Sequence, residues 1–416
     1  MKFERQIPQA KIWPRPSWTL ACLCMGAFIA LLEPGLVAGQ TWKRHTIDSS
    51  DATVGKRGAD GVRLADANHD GHLDVVTGWE EGGAVAICFN PGPQRASEAW
   101  SSVTVGSIPG VEDAVLSDLD GDGRLDVISC AEGKLNQVQI HWAPKDAEDY
   151  MNPDRWTTNP IRASADLRWM YALPMDMNDD GRIDVVVGAK NKNAMVGWLE
   201  NPPETRDTSA WKLHKLAPAS WIMSLESIDM NHDGHMDILY SDRRGTEPGI
   251  YWLENPGRAG KTWSRHLLGG EGEEVMFLGT YQHRSSNQLE VICATLEGKA
   301  IQLTQQGANT WKTQEHGLPL GLTAGKAAGL ADINLDGRLD WVVTTEAQRE
   351  PDDLNGVAWK ENLGDGWKDH PISDLSGRKF DRFEMIDLDG DGDLDLLTCE
   401  EVDDLGVFWY ENPTRH

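Results

Sequence analysis

The sequence predicts an all-β fold, a seven-bladed β-propeller in which the N-terminal strand completes the last blade. Three observations carry that expectation. An acidic loop recurs along the chain, a tryptophan recurs at nearly constant spacing, and the chain starts on a strand that its last repeat lacks. Internal periods of this length mark architectures that grow by repetition, and they dominate the reading of a 416-residue chain.

The acidic loop reads Asp-x-Asp/Asn-x-Asp-Gly-x-Leu/Ile/Met-Asp followed by apolar residues, and it begins at Asp66, Asp118, Asp176, Asp229, Asp332 and Asp387. Successive offsets are 52, 58, 53, 103 and 55 residues, so the offset of 103 is a double step. The skipped copy is eroded: Leu289-Glu-Val-Ile aligns with Leu125-Asp-Val-Ile, which puts Gln282, Arg284 and Ser286 where carboxylates should stand. Seven units are expected, six of them with the acidic loop.

Trp42, Trp100, Trp156, Trp211, Trp263, Trp311 and Trp367 recur every 48 to 58 residues, and His45, His214, His266 and His370 follow four of them by three positions. Trp-x-Glu-Asn recurs at Trp198, Trp252, Trp359 and Trp409. Alternation of this kind has strand periodicity, and each unit reads as four short strands. The first leads into the acidic loop and the second is the apolar run after it. Trp-x-Glu-Asn marks the third, and Trp-x-x-His the fourth. Four-stranded units of this size in series form a propeller. The last unit stops at Asn412-Pro, after its third strand, while Trp42 to Ile47 is a fourth strand with no unit before it. That strand is expected to complete the last blade and cover its open edge.

Lys2, Arg5, Lys11 and Arg15 precede an apolar run of 15 residues, Trp18 to Leu32, and Val37-Ala-Gly supplies small residues before Gln40. This is the pattern of a cleavable signal peptide over residues 1–39, and the run is shorter than the roughly 20 residues a spanning helix needs. The expected product is a secreted or periplasmic protein, residues 40–416, forming one propeller without a membrane span. Cys88, Cys130, Cys293 and Cys399 remain in it. Three of these follow equivalent apolar runs in separate repeats, too far apart to pair, so buried free thiols are expected.

The whole chain carries 39 Lys and Arg against 66 Asp and Glu, a net −27, and removing residues 1–39 leaves −29. This balance argues against nucleic acid or an anionic membrane as partner and towards bound cations. The loops offer hard oxygens around one point, with a glycine for the sharp turn and the carbonyl of the seventh position as a further ligand. The expected calcium ligands are Asp66, Asn68, Asp70, His72 and Asp74 in the first loop and Asp118, Asp120, Asp122, Arg124 and Asp126 in the second. They are Asp176, Asn178, Asp180, Arg182 and Asp184 in the third, and Asp229, Asn231, Asp233, His235 and Asp237 in the fourth. The sixth repeat offers Asp332, Asn334, Asp336, Arg338 and Asp340, and the seventh Asp387, Asp389, Asp391, Asp393 and Asp395. Position twelve is never the glutamate of an EF-hand; it is Thr77, Ser129, Val187, Tyr240, Val343 or Thr398. About six Ca²⁺ are expected, the fifth repeat being empty.

These loops resemble those of FG-GAP/VCBS repeat propellers, whose blades carry a calcium loop between their first two strands. The resemblance spans residues 41–413 and implies fold and metal rather than function, since such propellers occur in adhesion proteins and lyases alike.

Because strands in a blade alternate direction, the calcium loops share one face, and the individual segments of each repeat share the other. The lead-in segments there carry Lys56, Arg57 and Asp60; Glu112 and Asp113; Arg168, Trp169 and Met170; Trp221; Glu273 and Glu274; Lys326; Lys379 and Asp381. The loops after the second strands carry Trp79, Glu80 and Glu81; Glu132 and Lys134; Lys190 and Lys192; Asp242, Arg243 and Arg244; Glu400 and Glu401. Carboxylates, cations and indoles converging on a funnel suit an extracellular glycan, the indoles stacking on sugar rings and the charges bonding hydroxyls or uronates. A protein ligand is the other binding partner expected.

Gly58-Ala-Asp-Gly, Gly78-Trp-Glu-Glu-Gly-Gly, His141-Trp-Ala-Pro, Trp221-Ile-Met-Ser-Leu and Lys379-Phe-Asp look like the propeller domain of aldos-2-ulose dehydratases. That resemblance implies elimination of water from a keto-sugar with a zinc ion as Lewis acid. No three-histidine site is visible, and only His141 and His316 stand outside the repeat pattern, the loops and the terminus. An elimination would draw its acids and bases from Glu80, Glu112, Asp113 and Asp381, and its electrophilic partners from Arg243, Lys326 and Lys379. The two function classes expected are therefore a carbohydrate- or protein-binding module and a sugar lyase or dehydratase. A structural surface-layer protein is a third.

Overall fold

A computed structural model describes residues 41–257, 262–319, 321–346, 356–374 and 376–415. The expected signal peptide at 1–39 lies outside the described residues. The described residues form β-structure with a few 3-10 turns, and among them no helix is long and apolar enough to cross a membrane.

The four strands expected of each repeat form and pair in chain order. The first repeat gives Ala59–Ala65, Asp74–Trp79, Ala84–Phe89 and Ser101–Ser107, and the second gives Val111–Ser117, Asp126–Ala131, Gln137–Trp142 and Thr157–Pro160. The third gives Arg168–Met175, Asp184–Lys190, Met195–Glu200 and Lys212–Pro218, and the fourth Ile222–Ile228, Asp237–Asp242, Gly249–Glu254 and Ser264–Gly269. Phe380–Ile386, Asp395–Glu400 and Gly406–Glu411 take Lys43–Asp48 as their fourth strand, in the register Arg44 to Tyr410 and His45 to Trp409. The propeller is thereby closed by a strand from the opposite end of the sequence.

The expectation of seven blades needs correction: among the described residues five sheets are separate and four-stranded, and one sheet has eight strands. In it, Val275–Gln282, Leu289–Thr295, Lys299–Gly307 and Thr310–Gly317 join Gly325–Ala331, Asp340–Thr345, Val357–Asn362 and Trp367–Pro371. The junction is a parallel pairing of the two first strands at Phe277 and Ala327. Small residues permit it, since a Cβ on Gly279 would lie 2.3 Å from the Ala328 carbonyl oxygen. The sequence pattern registers repeat length and is blind to this approach.

The two aromatic markers turn out to be one device. His45 stacks on Trp409, His214 on Trp198, His266 on Trp252 and His370 on Trp359, with ring centroids 4.4–4.6 Å apart. Each histidine Nε2 then meets the glutamate of Trp-x-Glu-Asn, at Glu411, Glu200, Glu254 and Glu361, over 2.6–2.8 Å. Apolar clusters fill the spaces between sheets; one of them packs Ile47, Val75 and Trp79 with Leu397 and Trp409. Cys88, Cys130, Cys293 and Cys399 are free and buried. His141 is a core residue, fully buried between Ser129 Oγ at 2.9 Å and Thr158 Oγ1 at 2.8 Å.

Candidate functional site

First strands of successive repeats touch in a closed circuit, with Phe380–Ile386 returning to Ala59–Ala65. Their leading ends, and the trailing ends of the second strands, meet on the face opposite the acidic loops. Strand geometry dictates which side chains converge, because alternate residues point to the same side.

Among the described residues, ten charged groups form a continuous mouth there. Ligand oxygens of Asp60, Glu80 and Glu401 all lie within 4.8 Å of one another, and so do those of Glu80, Glu112 and Glu132, which makes Glu80 the bridge. Lys190 Nζ sits 3.1 Å from Glu112 and 2.7 Å from Glu132, and 4.8 Å from the centre of the Trp221 ring. Lys326 Nζ is 2.6 Å from Glu346 and 3.1 Å from Asp381, while Lys379 pairs with Glu401. Asp381 is wholly buried beside Asp60 and Lys326. Seven carboxyl groups thus face three ammonium groups.

Burial and crowding divide the protons unequally. Burial pushes Glu112 up to about 8 against the pull of Lys190, while Lys190 holds its neighbour Glu132 below the usual range despite burial. Burial, with Asp381 and Glu401 alongside, drives Asp60 well above the ordinary aspartate value. Asp381 stays low despite its burial because Lys326 and Lys379 flank it. Burial and Asp381 lift Glu401 to about 7. Protonated carboxyls therefore stand beside ionised ones, so the mouth both donates and accepts hydrogen bonds.

Of the expected acid–base set, Glu80, Glu112, Lys326, Lys379 and Asp381 do come together. Asp113 does not: Arg63 grips both its oxygens at 3.1 and 3.2 Å one layer deeper, and Asp113 Oδ2 also accepts Ala172 N–H. Arg243 is engaged elsewhere, paired with Glu274 at 3.0 Å and 5.2 Å from the centre of the Trp221 ring. Two indoles expected to stack on ligand are core residues, Trp79 and Trp169 both being fully buried. Lys56 turns away to Asp48 at 2.5 Å. Glu400 is a loop clamp that accepts four backbone N–H bonds through Oε1, from Arg378, Lys379, Val402 and Asp403. The one mouth residue overlooked in the sequence is Glu346. It follows Asp340–Thr345 as Glu80 follows Asp74–Trp79, so equivalence of position was the available signal.

Among the described residues, the carboxylate groups of the mouth include no histidine or cysteine, so their donor chemistry suits a hard cation rather than the zinc implied by the dehydratase resemblance.

On the opposite face the six loops share one geometry. The first aspartate accepts the glycine N–H through Oδ2 over 2.9–3.2 Å, at Asp66, Asp118, Asp176, Asp229, Asp332 and Asp387. Carboxylate oxygens of Asp118, Asp120 and Asp122, and of Asp387, Asp389 and Asp395, lie within 4.8 Å of one another. These donors fit calcium: all are hard oxygens on a pre-turned loop. Two features were not legible in the spacing. The ninth-position aspartates Asp74, Asp126, Asp184, Asp237, Asp340 and Asp395 each accept a loop N–H through Oδ2 over 2.8–3.3 Å. Through Oδ1 they accept an N–H at the end of the third strand over 2.7–2.9 Å, which makes them stitches between strands. The other feature is a set of arginines among the carboxylates: Arg206 lies 2.6 Å from Asp120, and the Arg182 and Arg338 side chains fold onto Asp180 and Asp336.

The profile of FG-GAP-like repeats matches residues 66–129 and 176–240. No curated protein matched the sequence. Among solved structures, BBS1N in complex with ARL6DN superposes with a TM-score of 0.51 at 11% identity, over 89% of this chain and 97% of that one. The NanB sialidase of Streptococcus pneumoniae gives 0.47 at 11%, over 90% and 71%, and an ancestral GH74 enzyme 0.48 at 9%, over 89% and 48%. At these identities the likeness concerns the fold alone. Nothing among these matches points to an aldos-2-ulose dehydratase.

Proposed function

We propose that this chain is an exported propeller that binds carbohydrate at the axial mouth and holds calcium in its six acidic loops. The observation that carries the reading is the mouth itself. Seven carboxyls, some pushed up by burial and others held down by neighbouring lysines, converge there with three lysines from different repeats and with Trp221 alongside, and a polyol can use donors and acceptors together. A repeated scaffold with one non-repeating face is the usual division between support and recognition. FG-GAP-like repeats suit an interaction module.

Three further parts belong to the same reading. Residues 1–39 act as a cleaved signal peptide, placing the product outside the cytoplasm. The eight-stranded sheet counts as two blades joined at their inner strands, giving seven. Asp66, Asn68, Asp70 and Asp74, with their counterparts in the five other acidic loops, are the side chains that hold calcium, the ninth-position aspartates bracing the strands as well.

Titration calorimetry against neutral and acidic oligosaccharides tests the binding reading. One saccharide class is expected to bind, and Asp60→Asn or Glu80→Gln should weaken it tenfold or more while the melting temperature holds. If no saccharide binds, the reading fails. A second reading, elimination from a sugar, is favoured by the Glu112–Glu132 and Asp60–Asp381 pairs, in which a proton donor faces a base. It requires an unsaturated, ultraviolet-absorbing product from a bound substrate.

A further inference from the structure

Beside the mouth, between the second and third repeats, lies a cavity of about 500 Å³. This is within the roughly 300–1,000 Å³ typical of small-molecule sites. Its wall consists of three cations, Arg168, Lys190 and Lys192, three amides, Asn136, Asn191 and Asn193, and a single acid, Asp166. Four of these seven hold left-handed backbones, Asn136, Asp166, Asn191 and Asn193, a conformation that short polar side chains tolerate best. The segment is braced from the next repeat by Asn191 N–H to Ser220 O at 2.7 Å.

The charges of the wall are not balanced. Lys190 is buried and engaged by Glu112 and Glu132, of which Glu112 is pushed above the usual glutamate range by its burial. Arg168 reaches Glu132 only at 4.0 Å, with about half its side chain exposed (49%). Among the described residues Lys192 makes no ion pair. Asn136 Oδ1 is buried and accepts no hydrogen bond from the protein. The cavity therefore offers more positive charge than its one acid, Asp166, and the neighbouring Glu132 can offset, together with amides that bond hydroxyls in both directions.

We infer that this cavity takes a carboxylated sugar, its carboxylate on Arg168 and Lys192 and its hydroxyls on the three asparagine amides. The inference rests on the carbohydrate-binding reading and narrows it to uronates. The test is calorimetry of the mature chain with digalacturonate, its dimethyl ester and neutral galactobiose. Digalacturonate is expected to bind at least tenfold tighter than the ester and to weaken with salt. Arg168→Gln and Lys192→Gln should each remove most of that preference, and Lys192→Glu should reverse it. Both side chains are solvent-facing, so an unchanged melting temperature will certify the variants. Equal affinity for acid and ester, or a preference that survives both neutral variants, overturns this inference while carbohydrate binding stands. Failure of all three probes and of every other saccharide overturns both.

Discussion

His45 Nε2 lies 2.6 Å from Glu411 Oε2, although 366 residues separate them in the sequence. The His45 ring stacks on Trp409 at 4.5 Å, reproducing across the ring closure the arrangement that His214 and Trp198 make within one repeat. A chain starting at Asp48 should therefore lose several kcal/mol in denaturant unfolding, since it forfeits a whole strand and bares a sheet edge. His45→Ala should cost more than His214→Ala, because the His45 side chain is 6% exposed and that of His214 42%. A deletion that leaves the unfolding midpoint in place would refute closure by this strand.

Calcium should be found at about six ions per mature chain, and chelation should lower the melting temperature, because a ligand held only by the native state stabilises it by mass action. Asp387→Asn is expected to remove one ion in elemental analysis. A melting curve indifferent to EDTA would contradict the metal assignment.

Asp237→Ala should destabilise the protein by about 2–4 kcal/mol even in the presence of chelator, because it strands the backbone N–H groups of Met230 and Asn255. Were the role of the ninth position metal binding alone, the cost would vanish once calcium is removed. Urea titration with and without EDTA separates the two.

Burial holds His141 down to about 3 from an ordinary 6.5. The unfolded chain then binds the extra proton first, so this residue's contribution to stability is intact above pH 6.5 and is lost as pH falls towards 3. The loss runs at up to about 1.4 kcal/mol per pH unit. His141→Gln should flatten that part of the stability profile, and parallel profiles for the two proteins would refute the assignment.

Lys326→Met should cost about 3–5 kcal/mol, since it leaves Asp381 buried without its closest cation. Adding Asp381→Asn should recover much of the loss. If the single variant is neutral in urea unfolding, the charge network at the mouth is not coupled in the way its distances indicate.

Repeat length, strand order and the closing strand were legible in the sequence, because the markers that report them, Trp-x-x-His and the acidic loop, are themselves structural parts. Most mouth residues were legible as well, through their equivalent places at strand ends. What was not legible depends on side-chain direction and on close approach. Trp79 and Glu80 are neighbours in sequence, yet one faces the core and the other the mouth. Asp113 and Glu112 part company in the same way. The merging of two sheets at Phe277 and Ala327 hinges on the absence of a Cβ at Gly279, a local clearance that no period encodes.

Closure also constrains assembly in time. Lys43–Asp48 leaves the ribosome before every other strand described, and its partner Gly406–Glu411 leaves last. Until Gly406–Glu411 has followed it, Lys43–Asp48 has no partner strand, and its unpaired backbone groups are a template for a stranger. Two nascent copies held close together could exchange these segments, each lending its first strand to the other's last sheet. Paired molecules linked in this way would be folded in every blade and still not be monomers.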